Sequence, residues 1–355
     1  MKRHEPLTGR RSLSQLRQFI LLIVAGSSVN ALAAVDLTGT YDVATLTPLE
    51  RPAMFGNNRF LSQEEAEKIR RDDANAKAER GTKSDPERGA PPAGGDGSAG
   101  AAGNVGGYNT FWIDNGDNAF EIDGKFRTSI LTQPENGRRP ELTAEAKVKF
   151  AQARRNRQSN SGTAWWLDAK GEGAGPYDNM EQRPLAERCL LGFGPVAGPP
   201  MFPTLYNNLK RIVQTEDSIM ILAEMVHDAR VIRLNSEHRA DHIRTWLGDS
   251  VGHWEGDTLV VETTNFTKQP ALYGADENLQ VTERFTRLDD DSLSYSFVVT
   301  DPTVWSEPWG GEYPWPATDD KVYEYACHEG NYSFGNIMRG ARLLEDEVIS
   351  QIGSD

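Results

Sequence analysis

From residue 212 onward, apolar and β-branched residues alternate with polar ones at a period of two, in short runs separated by turn residues. The pattern predicts strands at 212–215, 218–226, 230–234, 251–255, 258–266, 279–288, 292–300 and 321–328. Glu216-Asp217, Gly256-Asp257 and Asp289-Asp290-Asp291 fill three of the joints, and such residues suit tight hairpins. Consecutive hairpins build an antiparallel meander, and a long meander disposes of its edges by curling into a barrel or sandwich. The expected fold class is mainly β, an antiparallel meander forming a β-barrel, with N-terminal helices and long loops packed around it.

Upstream the pattern is mixed. A short strand is predicted at 36–41, and Ser62-Gln63-Glu64-Glu65 is a capping box opening a charged helix to about residue 80. Residues 83–107 are rich in Gly, Ala, Pro and Ser without apolar periodicity, as in a solvated linker. A strand at 126–132, a turn at Pro134-Glu135-Asn136-Gly137, a helix from Thr143 to about residue 157 and a Pro/Gly-rich coil at 171–203 follow. The chain thus divides into 1–33, 34–82, 83–107, 108–203 and a barrel domain at 204–355.

Residues 1–33 read as an export signal. Lys2, Arg3, Arg10, Arg11 and Arg17 precede an apolar run at 19–25 and a small-residue exit at Ala31-Leu32-Ala33. Gly26, Ser27, Ser28 and Asn30 break that run well short of the about 20 apolar residues of a membrane span, so no stable anchor is expected after cleavage. Arg10-Arg11-Ser12-Leu13 fits a twin-arginine signal, and the basic start of an ordinary secretory signal explains it as well. The expected location is the periplasm or the exterior. In that oxidising setting Cys189 and Cys327, the only cysteines, are expected to form a disulfide.

Composition narrows the function. The 355 residues, 38% hydrophobic and 25% charged, describe a globular chain. A net charge of -14 argues against a nucleic-acid partner, because neutralising phosphates needs clustered Lys and Arg. No Gly-x-Ser-x-Gly elbow or Walker loop occurs. His238 and His242 have helical ligand spacing but lack the Glu that follows the first His of a zincin, so no metal site and no cofactor are assigned.

Several long strings carry a resemblance. Arg127-Thr128-Ser129-Ile130-Leu131, the stretch from Glu224 to Arg230, Gly252-His253-Trp254-Glu255-Gly256-Asp257-Thr258-Leu259-Val260-Val261-Glu262-Thr263-Thr264-Asn265-Phe266 and Tyr323-Glu324-Tyr325-Ala326-Cys327-His328-Glu329-Gly330-Asn331-Tyr332 look like a large family of secreted bacterial proteins. The resemblance implies export and carries no activity. Gly39-Thr40-Tyr41 is similar to the Gly-x-Trp entry strand of lipocalin-like barrels, with Tyr replacing Trp. It implies a calycin-type barrel.

Polar groups within apolar strands are the candidates for chemistry. Glu224 lies between Leu222 and Val226 on one strand face, Glu283 between Val281 and Phe285, and Glu262 follows Val260. Carboxylates so placed either pair with Arg230, Arg233 or Arg284, or carry a raised pKa suited to acid–base work. His227 and Asp228 close one predicted strand, His253 shares a face with Glu255, and His328 closes the last strand. Strand ends form barrel mouths, where ligands enter. The expectation is that His227, His253 and His328, with Glu224, Glu262 and Glu283, line one pocket, while Arg230, Arg284, Asp228 and Trp309 hold the substrate. Trp305, Trp309 and Trp315, interleaved with prolines, form either a stacking platform or a plug. Two functional readings remain open: an exported enzyme using cofactor-independent acid–base chemistry of lyase, isomerase or hydrolase type on a small sugar or aromatic substrate, and a non-catalytic lipocalin-like protein that binds a small molecule.

Overall fold

Alternating burial along the strands bends one apolar face inward. In a computed structural model, which describes residues 35–81, 87, 113–155, 162–168, 174–196, 198–268, 272 and 274–352, the protein is mainly β. The export segment and most of the predicted linker lie outside the described residues. Twelve strands are β1 (Gly39–Asp42), β2 (Glu121–Ile122), β3 (Lys125–Phe126), β4 (Leu131–Gln133), β5 (Leu209–Gln214), β6 (Ser218–Ala223), β7 (Ala229–Leu234), β8 (Asp249–Glu255), β9 (Thr258–Thr264), β10 (Gln280–Asp289), β11 (Ser292–Thr300) and β12 (Trp309–Pro316). The helices are α1 (Gln63–Arg80), α2 (Ala144–Arg155), α3 (Trp165–Asp168), α4 (Cys327–Gly330) and α5 (Tyr332–Ile352).

Ten strands form one curled sheet, a half-barrel in the order β1-β5-β6-β7-β8-β9-β10-β11-β12-β4. A single bridge between Tyr41 and Ala317, with the Thr318 N–H on the Thr40 carbonyl at 2.9 Å, links β1 to the residues just past β12. The meander is antiparallel except at β7 and β8, which run parallel. Residues 235–248 carry the chain between them, and Arg233 and His238 both bind the Asp249 carboxylate, at 2.9 and 3.1 Å. A loop pinned in this way crosses without a helix. His238 is thereby a loop anchor.

Three sequence expectations change. Residues 321–326 form no strand, and His328 lies in α4. The tryptophan loop is instead strand β12, whose Trp309, Gly311, Tyr313 and Trp315 all face inward and are buried. Its prolines, at 314 and 316, occupy outward positions, where the residues are not needed for packing. The third change is α5, a helix that packs Ala341 against Trp166 and whose Glu345 accepts the Trp166 indole N–H at 2.7 Å. Both predicted N-caps form: Ser62 exchanges bonds with Glu65 in a capping box, and Thr143 Oγ1 accepts the Ala146 N–H at 3.1 Å.

Aromatic rings fill the interior. Tyr295 stacks at 4.7 Å from Trp315 and 5.0 Å from Phe285, and Phe297 and Trp305 lie 6.1 and 5.3 Å from Trp309. Such a core contributes several kcal/mol per ring through burial and packing, on the order of 3–5 kcal/mol lost on truncation to Ala. No helix among the described residues is long and apolar enough to cross a membrane.

Candidate functional site

The sheet has one end at which β1 and β6 finish and β5 and β7 begin. Register places Tyr41, Lys210 and Ala223 in one row across it, and the Ala223 N–H bonds the Asp228 carbonyl at 2.8 Å. Lys210 has the parity of Ile212, so its side chain enters the interior and is 0% exposed. Its ammonium finds no hydrogen-bond partner. Three carboxylates act on it from neighbouring elements: Asp228, Glu224 and Asp42. Glu224 and Asp228 are themselves 6% and 9% exposed.

Burial dominates the electrostatics. Loss of hydration pushes the Lys210 amine down to about 8, even though the three carboxylates pull it back up. Desolvation raises Asp228 to about 6, against the Gly192 N–H on its Oδ2 at 3.2 Å and the charges of His227 and Lys210. Asp42 is also raised, first by burial and then by its repulsion from Asp114, Asp320 and Glu224. An amine and a carboxyl whose midpoints approach neutrality from opposite sides can hold and release a proton near pH 7.

The turn that carries the carboxylates is strained. Between β6 and β7, Val226 and His227 adopt φ of 58° and 46°, the left-handed region that a β-branched valine rarely enters. Val226 and Met225 are buried with Val196 and Ala223, while Leu247 and Tyr325 pack against them. Residues 323–327 pass over this end: the Tyr323 N–H donates to Glu224 Oε1 at 3.0 Å, and His227 Nδ1 lies 3.2 Å from the Tyr325 carbonyl. The Cys189–Cys327 disulfide fastens the same segment.

The residues expected to share one pocket occupy four places. Glu224, His227 and Asp228 stand at the sheet end, with His227 exposed. Glu283 and Arg230 lie deep in the interior, joined by two hydrogen bonds at 2.5 and 3.0 Å, and Tyr295 donates to Glu283 Oε1 at 2.8 Å. Arg230 and Tyr295 thus hold the Glu283 carboxylate within the core, and fully buried Trp309 packs on Phe202 and Phe297. The third group is on the outer face. His253 Nε2 lies 3.3 Å from Glu255, which also accepts from Arg284 at 2.8 Å, and exposed Glu262 has the same outward parity. Arg284 lines an open groove of about 170 Å³ with Thr282, Ser296 and Glu312. His328 is exposed on α4. The pleat explains the separation: Glu262 and Glu283 belong to adjacent strands, but Glu283 pairs with Val261, so their side chains take opposite faces.

Lys210 and Asp42 were absent from the sequence candidates. The signal was there for Lys210, which alternates with Ile212 once the strand is begun at Leu209. No protein-family model and no curated protein sequence matches the chain.

Proposed function

We propose that the protein is an exported enzyme that performs cofactor-independent acid–base chemistry on a small hydroxylated or carbonyl substrate at the sheet end around Asp228. The carrying observation is the buried, unpartnered Lys210 ammonium among three carboxylates. Asp228 is the group that would touch the substrate as general base, and Glu224 is its neighbour. Lys210 acts through them as a positioning residue, because it is fully buried. Between about 6 and about 8 the carboxyl is ionised and the amine protonated, so activity should be bell-shaped around neutrality. Access requires residues 323–325 to lift from Glu224 and His227.

A sugar-like substrate suits this rim better than an aromatic one, since Trp305, Trp309 and Trp315 are buried and offer no stacking platform. Among the described residues aromatic side chains fill the interior, so a ligand inside would have to displace that core, which disfavours the binding-protein reading. Export is supported by the leader pattern and agrees with the disulfide.

The test is untargeted metabolite turnover by the purified mature protein, followed by pH profiles of variants. Asp228→Asn should abolish turnover by the folded protein, and Lys210→Met should remove the alkaline limb. Full turnover in both Asp228→Asn and Glu224→Gln would refute this site.

A further inference from the structure

A second buried cation lies on the loops that flank β4. Arg51 is 2% exposed, yet among the described residues no carboxylate pairs with its guanidinium. Nε donates to Thr128 Oγ1 at 3.0 Å and Nη1 to the Glu135 carbonyl at 2.9 Å, both neutral acceptors. Burying a charge with neutral partners alone is costly, and an opposite charge normally offsets it.

The neighbours make the imbalance larger. Arg138 donates from Nε to the Arg51 carbonyl at 3.1 Å. Thr128 bridges Arg51 to the next segment, its hydroxyl donating to the Asn58 carbonyl at 2.8 Å and its N–H to the Arg59 carbonyl at 3.1 Å. The charges of Arg59 and Arg138 both bear on Arg51, and Arg59 Nε is itself buried without a partner. Of the nearby carboxylates, Glu50 is held by Arg139, and exposed Glu135 is the one whose charge reaches Arg51. Gly137, at φ 66°, closes over the group: a Cβ there would stand 2.8 Å from Arg51 Nη2. The turn that sequence pattern placed at Pro134–Gly137 therefore serves as a cover that only glycine fits.

We propose that Arg59 and Arg138, both half-buried beside the covered charge of Arg51, form a receptor for an oxyanion, a phosphate, sulfate or carboxylate group of a small molecule, with Arg51 adding its field from beneath the turn. Guanidinium groups bind such anions through paired N–H donors, and a cluster of three offsets their charge where a single surface lysine does not. In a chain with a net charge of -14 a broad anionic surface is repelled, so the occupant is a compact free anion.

The experiment is isothermal titration of the mature protein with potassium phosphate, sodium sulfate and sodium citrate at ionic strength fixed with sodium chloride. At least one should bind saturably and raise the thermal midpoint beyond the chloride control. The double variant Arg59→Gln/Arg138→Gln keeps Arg51 and its structural hydrogen bonds. It should weaken binding about tenfold or more, and its midpoint without ligand should equal or exceed that of the parent because repulsion is relieved. Flotation with phosphatidylglycerol vesicles distinguishes the source: flotation lost in the double variant assigns the receptor to a lipid headgroup, and none is expected. Absence of saturable binding by all three anions, or unchanged affinity in the double variant, overturns the proposal.

Discussion

Replacing Lys210 by methionine separates a functional charge from a structural one. An amine whose midpoint moves from 10.5 to about 8 on folding destabilises the native state by about 3 kcal/mol at pH 7, with the carboxylate attraction already included. Lys210→Met keeps the aliphatic stem, removes the ammonium and leaves Asp228, Glu224 and Asp42 without their cation. Asp228 then rises further and returns part of the gain, so the variant should be more stable by roughly 1–3 kcal/mol at pH 7. A structural ion pair predicts the opposite, a loss of about 3–5 kcal/mol. pH sharpens the contrast. Below 8 both folded and unfolded chains hold the proton and the cost is fully present; between 8 and 10.5 the unfolded chain binds more, so this group makes stability rise with pH. Urea unfolding of parent and variant at pH 7, 8, 9 and 10 gives the difference curve. A destabilisation of 3 kcal/mol or more, or parallel curves across that window, would refute the assignment of Lys210 as an unpaired, strained charge.

Three more outcomes are expected. Asp228→Asn should abolish a fall in stability as pH rises from 3.8 through about 6, since the folded chain keeps that proton longer than the unfolded one; acid titration of both proteins by urea unfolding checks it. Glu283→Gln leaves the Arg230 guanidinium buried without its counter-charge and should cost about 3–5 kcal/mol, with the folded protein still binding or turning over substrate, measured by thermal midpoint beside activity. Removing the disulfide with Cys189→Ser/Cys327→Ser opens a link spanning 138 residues and should lower stability by about 2–4 kcal/mol in non-reducing urea unfolding.

Alternation made the strands legible because the core takes its residues from one face at a time. Seven of the predicted strands, from 212–215 to 292–300, match β5 to β11 within a few residues at each end. The parallel joint between β7 and β8 was not legible, because strand direction depends on where a loop returns and not on the period. Strand β12 was hidden by its own residues: Trp-Gly-Gly-Glu-Tyr-Pro-Trp-Pro reads as a loop, yet the glycines let neighbouring backbones approach. A Cβ at Gly310 would meet the Phe297 carbonyl at 2.3 Å, and one at Gly311 the Ile130 carbonyl at 2.4 Å. Individual buried carboxylates, Glu224 and Glu283, were readable from their apolar neighbours, and Arg230 stood among the partners named for them, whereas which arginine meets which carboxylate was not readable. Glu283 and Arg230 are 53 residues apart and meet only through the order of strands.

The end of β6 bears directly on the proposed site. Met225 and Val226 continue the apolar pattern past Ala223, but they are buried in a turn, packed on Val196 rather than on the sheet. A valine held at φ 58° stores about 1–3 kcal/mol of backbone strain, and the histidine after it repeats the conformation. A few ångströms of sheet away, in the same row as Ala223, Lys210 adds its own cost of desolvation. Methionine at 210 would keep the same aliphatic packing without a buried charge. Arg230, Glu283 and Tyr295 share three hydrogen bonds in the interior, whereas the strained valine and the unpartnered amine are two costs gathered at one sheet end. On the proposed reading, strain holds Asp228 and Glu224 at the sheet end beside the buried amine; Val226→Gly relieves that strain but also removes a buried side chain of comparable worth, so it should change stability little while loosening the site, raising KM and lowering kcat together. A Val226→Gly variant with both constants unchanged would detach the strain from the chemistry.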